Sequence, residues 1–334
     1  MDDILRRIDR MQDAPRPDDA MELPMGDRRD GLVYRHDEDL RTVVKIAIAT
    51  GRPLLLLGES GAGKSAFAPY VARNLGWRYY EHVMTRRTEA RDLLWTFDAV
   101  RKLADAQNRS SEELRDADYI EPGVLWWALD RASAVRRGLA DGEPHVSPAE
   151  PHGAYNDGRA GQGAVLLADE IGKASADVLD ALLVPFGSLT FQVSETNARI
   201  GPPKNRGQLL IVLASNDDLP PSDAFRRRCV VHTLRVPEHV SDYVDIARRH
   251  LVGPEGELDG DLHQLCVQLA QEVHRRREEM GDSGRSGRKP STAEYLDAVV
   301  ACKQLGIKVD SPEWQVMRRA VLSIPQDDPG GEAR

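Results

Sequence analysis

Cysteine is nearly absent from this chain. Its 334 residues include three, Cys229, Cys266 and Cys302, far apart and odd in number. They make neither a disulfide framework nor a metal cluster, and a reducing compartment is the natural setting. Long apolar runs are also missing, since none approaches the roughly 18 residues that a membrane span needs. The opening stretch MDDILRRIDRMQDAPRPDD is charged and lacks the apolar core of a signal peptide. A cytoplasmic protein with no membrane association is expected. Positive charge is not in excess either. The net charge is −9, which argues against constitutive nucleic-acid binding. Arginine outnumbers lysine by 37 to 8 but is spread along the whole chain, as a GC-rich genome would place it. The histidines show no ligand spacing, and His36, His82 and His232 are expected to be structural or at the surface.

The length allows one large domain or two ordinary ones. Residues 1–30 mix acids, arginines and prolines without clear period, and predict a loosely ordered charged tail with a short helix over 2–12. Leu40, Val43, Val44, Ala47 and Ile48 then fall on one helical face, which Gly51 and Pro53 end. The strand PLLLL follows, then a glycine-rich loop and a helix interrupted by Pro69. WRYYEHV, AVLLADE, QLLIVLASND and CVVHTLRV read as further strands, with helices between them. That alternation predicts an α/β fold with a parallel sheet and phosphate chemistry at the strand C-termini. Residues 138–163 are rich in glycine, proline and turn formers and predict a long exposed loop, and 189–201 predict a hairpin insert. The strand pattern stops at Pro237. Residues 31–236 are therefore expected to be the α/β core, 237–325 a small all-helical domain and 326–334 a C-terminal tail. The run 274–280, HRRREEM, has the composition of a solvated helix face.

The stretch LLLLGESGAGKSAF, residues 54–67, holds the clearest motif. Gly58, Glu59, Ser60, Gly61, Ala62, Gly63, Lys64 and Ser65 match G-x-x-x-x-G-K-[ST], between a strand and a helix. Consecutive backbone N–H groups of such a loop curl around a phosphate, and the helix N-terminus points at the same place. Lys64 supplies a point charge for the β- and γ-phosphates and the Ser65 hydroxyl is a Mg²⁺ ligand. Asp169 and Glu170 end a buried apolar run, on a strand expected beside the loop strand. Asp169 would hold Mg²⁺, and Glu170 would orient and deprotonate the attacking water. Asn216, at the end of the next apolar strand, is placed to orient that water. DAFRRRC then offers Arg226, Arg227 and Arg228 directly after it, as a solvated basic helix end or as an arginine finger for the nucleotide of a neighbouring subunit.

The ordered set GESGAGKS, LLADEIGKA, LASND and DAFRRRC, with RDLLWTFDAVRKLADAQ and YIEPGVLWWAL, resembles an AAA+ ATPase of the MoxR-like branch over residues 31–300. The resemblance implies a P-loop core with a helical lid, ATP between the subunits of a hexameric ring, and chaperone-like remodelling of a protein, often beside von Willebrand A-type partners. It places the two-arginine finger at Arg227 and Arg228. It also implies an arginine early in the lid helix of GRKPSTAEYLDAV, where this chain has Ala293. Either that arginine's contact is dispensed with, or Arg288 or Lys289 replaces it. Two other functions fit the same motifs, a nucleic-acid-associated motor subunit and a nucleotide-gated scaffold in a bacterial defence or signalling system.

Overall fold

The computed structural model describes residues 1–14, 30–36, 38–108, 114–159, 163–202, 208–216, 221–282 and 289–322. Contacts divide the chain into two compact units. One comprises Met1–Met11, His36–Leu57 and Lys64–Thr233, and the other Gln12–Arg35, Gly58–Gly63 and Leu234–Arg334.

The first unit is built on a five-stranded parallel sheet of β1 (Leu54–Leu57), β2 (Arg78–Val83), β3 (Gly163–Asp169), β4 (Gln208–Ala214) and β5 (Val230–Thr233). Every residue of β1 and β3 is buried. Uninterrupted apolar runs are what a parallel strand covered on both faces requires. The spatial order is β2-β3-β4-β1-β5. The sequence predicted the strand carrying Asp169 beside the loop strand, and the fold does not place it there. β4, which leads to Asn216, lies between them. Helices α1 (Asp2–Asp9), α2 (Glu38–Thr50), α3 (Lys64–Leu75), α4 (Ala176–Ser188) and α5 (Asp223–Arg226) belong to this unit. α2 buries Leu40, Val44, Ala47 and Ile48, four of the five apolar positions predicted to share a face.

Two stretches are more ordered than their composition suggests. In the N-terminal stretch, Ile8 and Met11 are fully or almost fully buried, and Arg41 of α2 donates to the Met11 carbonyl at 3.1 Å. Residues 15–29 lie outside the described residues. The 138–163 segment is largely exposed, yet it is pinned along β2. The Asn156 amide accepts from Tyr79 N–H at 2.7 Å and donates to Tyr79 C=O at 3.1 Å, as a neighbouring strand would. Arg159 donates to the Trp77 carbonyl at 3.0 Å, and Tyr80 Oη donates to Glu150 at 2.8 Å. This covers an edge strand whose open backbone would otherwise invite pairing. The hairpin expected over 189–201 is present, with Phe191–Gln192 antiparallel to Arg199–Ile200. Phe191 stacks on Trp95, ring centroids 5.7 Å apart.

The second unit contains α6 (Val240–Val252), α7 (Gly260–Asp282), α8 (Thr292–Leu305) and α9 (Pro312–Val321). They pack through Tyr243, Leu269, Val273, Tyr295, Val299 and Trp314. Ser291 and Glu294 form a capping box that starts α8, and Ser311 with Pro312 starts α9. The 274–280 run is only partly a solvated face. Arg275 points outward, but Arg276 and Arg277 keep 17 % and 12 % of their side chains exposed.

Arg276 shares Glu272 with Arg275 and Arg318. Burial alone would raise this carboxyl. Hydrogen bonds from Arg318, Arg275 and Arg276 outweigh burial and hold it at about 2, against an ordinary 4.5. A depressed carboxyl contributes stability above its unfolded pKa and loses it as pH falls through the folded one. The contribution is up to about 3 kcal/mol, lost between about pH 4.5 and pH 2. Thermal melts across that window should therefore show wild type losing stability faster than Glu272→Gln. Parallel curves would remove Glu272 from the acid response.

Candidate functional site

The parallel register brings the C-terminal ends of the core strands level. Val83 of β2 pairs with Asp169, Ala168 with Leu213 and Leu56 with Ala214. Asp169, Glu170, Ser215 and Asn216 thus leave the sheet at the end from which the glycine loop leaves β1. Ser215 N–H donates to Leu56 C=O at 3.0 Å and fixes the exit of β4 against that of β1. Asp169 is 3 % exposed and Lys64, in the first turn of α3, is 6 % exposed. Charges of opposite sign are rarely sealed this far from water unless the site uses them. Glu170 adopts φ 54° and ψ 39°, the left-handed region, with its N–H donating to the Asp169 carboxylate at 2.9 Å. For a non-glycine residue that conformation costs about 1–2 kcal/mol. Its carboxylate pairs with Lys173.

The loop itself belongs to the helical unit by its contacts. Gly58, Gly61 and Gly63 all have positive φ. A Cβ on Gly58 would lie 2.5 Å from the Leu234 carbonyl oxygen, and one on Gly61 2.4 Å from Ser291 Oγ. No side chain fits at either place. Left-handed glycines followed by the N-terminus of a 12-residue helix with no acid in its first turn make a donor set suited to a polyphosphate. The Ser65 hydroxyl and the buried Asp169 carboxylate are hard oxygen ligands suited to Mg²⁺.

The arginine-bearing turn lies at the other end of the sheet. α5 is capped by Ser222 and runs into Arg227 and Arg228, just before β5. β5 pairs with β1 from Leu54↔Val230 to Leu57↔Thr233. Arg228 is therefore level with Arg52, six residues or about 20 Å along the strand from the start of the loop. Arg227 and Arg228 are exposed and Arg226 is half-buried beside Asp223, at 3.5 Å. Arg52 holds the turn by donating to the carbonyls of Arg227, Arg228 and Cys229 at 2.6, 3.3 and 2.7 Å.

Sequence reasoning did not find Arg52, two residues before β1. Nor did it find Arg277, whose guanidinium meets the loop residue Glu59 at 2.6 Å and the Pro290 carbonyl at 2.8 Å. Ala293 is exposed in the first turn of α8, Lys289 is half-buried, and Arg288 lies outside the described residues. A cavity of about 630 Å³ lined by Val244, Arg248, Leu258 and His263 contains none of the residues singled out from sequence.

Residues 53–229 match the family described as the AAA domain, dynein-related subfamily, and the chain belongs to that family. The matched span contains the loop, the acid pair, Asn216 and the arginine turn. The family is one of P-loop ATPases, so nucleotide binding and hydrolysis follow at that level. None of the curated proteins matches the chain. Among solved structures, the chain is similar to the Thermotoga maritima RuvB Holliday junction branch migration motor. The identity is 14 %, the TM-score 0.33, and the coverage 82 % of this chain and 68 % of that one. It is also similar to an ATPase candidate from Cytophaga hutchinsonii, at 13 % identity and a TM-score of 0.39, covering 96 % and 85 %. Similarity at these scores says nothing about what this chain acts on.

Proposed function

We propose that the chain is a Mg²⁺-dependent ATPase of the MoxR-like kind. It works as a ring of its own copies, six in number, and its hydrolysis drives remodelling or assembly of a protein partner such as a von Willebrand A-type protein. In this proposal residues 31–236 are the nucleotide-binding core and 237–325 its helical lid. The observation that carries the catalytic part is the common exit of Asp169, Glu170 and Asn216 at the sheet end where Lys64 and Ser65 open α3.

The backbone of residues 58–63 and the Lys64 ammonium hold the phosphates, and Ser65 and Asp169 would hold the cation. Bound ATP supplies the anhydride that is cleaved, and Mg²⁺ neutralises charge on its phosphates. Glu170 accepts a proton from the attacking water. Its carboxylate pairs with Lys173, and that pair must loosen for it to act. Asn216 donates to the same water and fixes its line of approach. Arg227 and Arg228 stand about 20 Å along the sheet from their own loop, which supports their acting on the nucleotide of the next copy. Turnover of ATP that needs Mg²⁺ and rises when copies assemble tests the proposal. A chain that assembles with ATP and Mg²⁺ yet releases no phosphate would overturn it.

The net charge of −9 and the pairing of many described arginines with acids support a protein partner over a nucleic acid. Arg248, Arg249 and Arg275, for example, all face Asp or Glu. Nucleic-acid affinity needs several free cations on one face. The isolated chain at low micromolar concentration should therefore leave the mobility of duplex and single-stranded DNA and of RNA unchanged near physiological salt. A shift abolished by added salt would favour the motor function instead.

A further inference from the structure

Glu59 places a carboxylate in a loop whose other features favour anions. Beside the phosphates of a nucleotide it would be a like charge, and like charges a few ångströms apart repel. Arg277 answers it. The guanidinium donates to Glu59 at 2.6 Å, is 12 % exposed, and is held from behind by the Pro290 carbonyl at 2.8 Å. The loop is seated against the same part of the unit, since a Cβ on Gly61 would overlap Ser291, the residue after Pro290. The fully buried Tyr243 senses both charges. Burial raises its phenol, Arg277 acts against that rise and Glu59 adds to it.

We propose that Arg277 is a positioning residue of the phosphate loop. It neutralises Glu59 so that the loop can accept a polyphosphate, and it ties the loop to the start of α8. It acts through Glu59 and is not itself a phosphate ligand. The proposal rests on the nucleotide-binding role assigned to residues 58–65 above.

The test is a set of binding titrations with a fluorescent ATP analogue and with ADP, on the full chain, beside thermal melts without nucleotide. Arg277→Ala should weaken ATP binding about 5–150-fold, the usual size of coupling between adjoining sites. ADP, with less charge near the loop, should lose less. Arg277→Lys should recover part of the affinity. Glu59→Gln alone should bind ATP at least as tightly as wild type. Glu59→Gln with Arg277→Ala should regain most of the affinity that Arg277→Ala lost, because the repelling charge is gone. If Arg277 instead held phosphate directly, or served only to pack the helices, the double variant would stay as weak as Arg277→Ala. That result overturns the proposal. Should Arg277→Ala not fold, Glu59→Gln decides alone, and a tenfold loss of ATP affinity in it counts against the proposal. A wild-type chain that binds no nucleotide would remove the underlying role itself, an outcome distinct from wild-type binding with variants that do not separate.

Discussion

Arg227→Ala or Arg228→Ala is expected to lower ATP turnover by about 10³–10⁵, the usual worth of an arginine finger, or about 4–7 kcal/mol of transition-state stabilisation. ATP affinity should change far less. The expectation follows from the register of β5 on β1, which sets the arginines level with Arg52 while the loop leaves beyond Leu57. In the proposed ring, a guanidinium at that end of the sheet would meet the phosphate of a neighbouring copy. Mixing separates this from an effect on folding. A finger variant keeps its loop, Asp169 and Glu170, and Glu170→Gln keeps its arginines. Combined, two inactive preparations should regain part of the activity at junctions where an intact arginine faces an intact glutamate. Verified mixed assemblies that stay inactive for both arginines would rule out action between copies. Arg226, half-buried and paired with Asp223, should tolerate alanine.

Glu170→Gln should retain ATP binding and lose turnover by about 10²–10⁴, the usual contribution of a positioned base. Glutamine keeps the size and hydrogen-bonding oxygen of the side chain but cannot take the proton from water. Lys64→Ala should instead lose ATP binding, because the cation acts on the phosphates themselves. Turnover and nucleotide titration on the same preparations distinguish the two. Near-normal turnover in Glu170→Gln would mean that another group is the base.

That the phosphate loop, both acids and Asn216 would fall at strand ends was legible because each stands where a buried apolar run meets polar residues, a local signal. The order of the strands was not. Placing β4 between β1 and β3 depends on contacts such as Leu167↔Val212 and Leu55↔Leu213, which no periodicity encodes. Arg277 was missed for a related reason. Within α7 it belongs to a charged run whose usual meaning is a solvated face, and its partner Glu59 is 218 residues away. The 138–163 segment looked open because its composition is that of a turn-rich loop. Asn156, like any asparagine, reads locally as a turn former, and only the fold shows that its amide substitutes for a strand.

That amide has a consequence for how copies can meet. With the Tyr79 donor and acceptor both engaged by one side chain, that residue of β2 has no free backbone pair to offer a second chain. Fibre growth by strand addition is obstructed at this point of the margin. In the proposed ring, copies meeting at this margin would join through side-chain surfaces, contacts that can separate and re-form without unzipping a ladder, as repeated cycling with ATP would require.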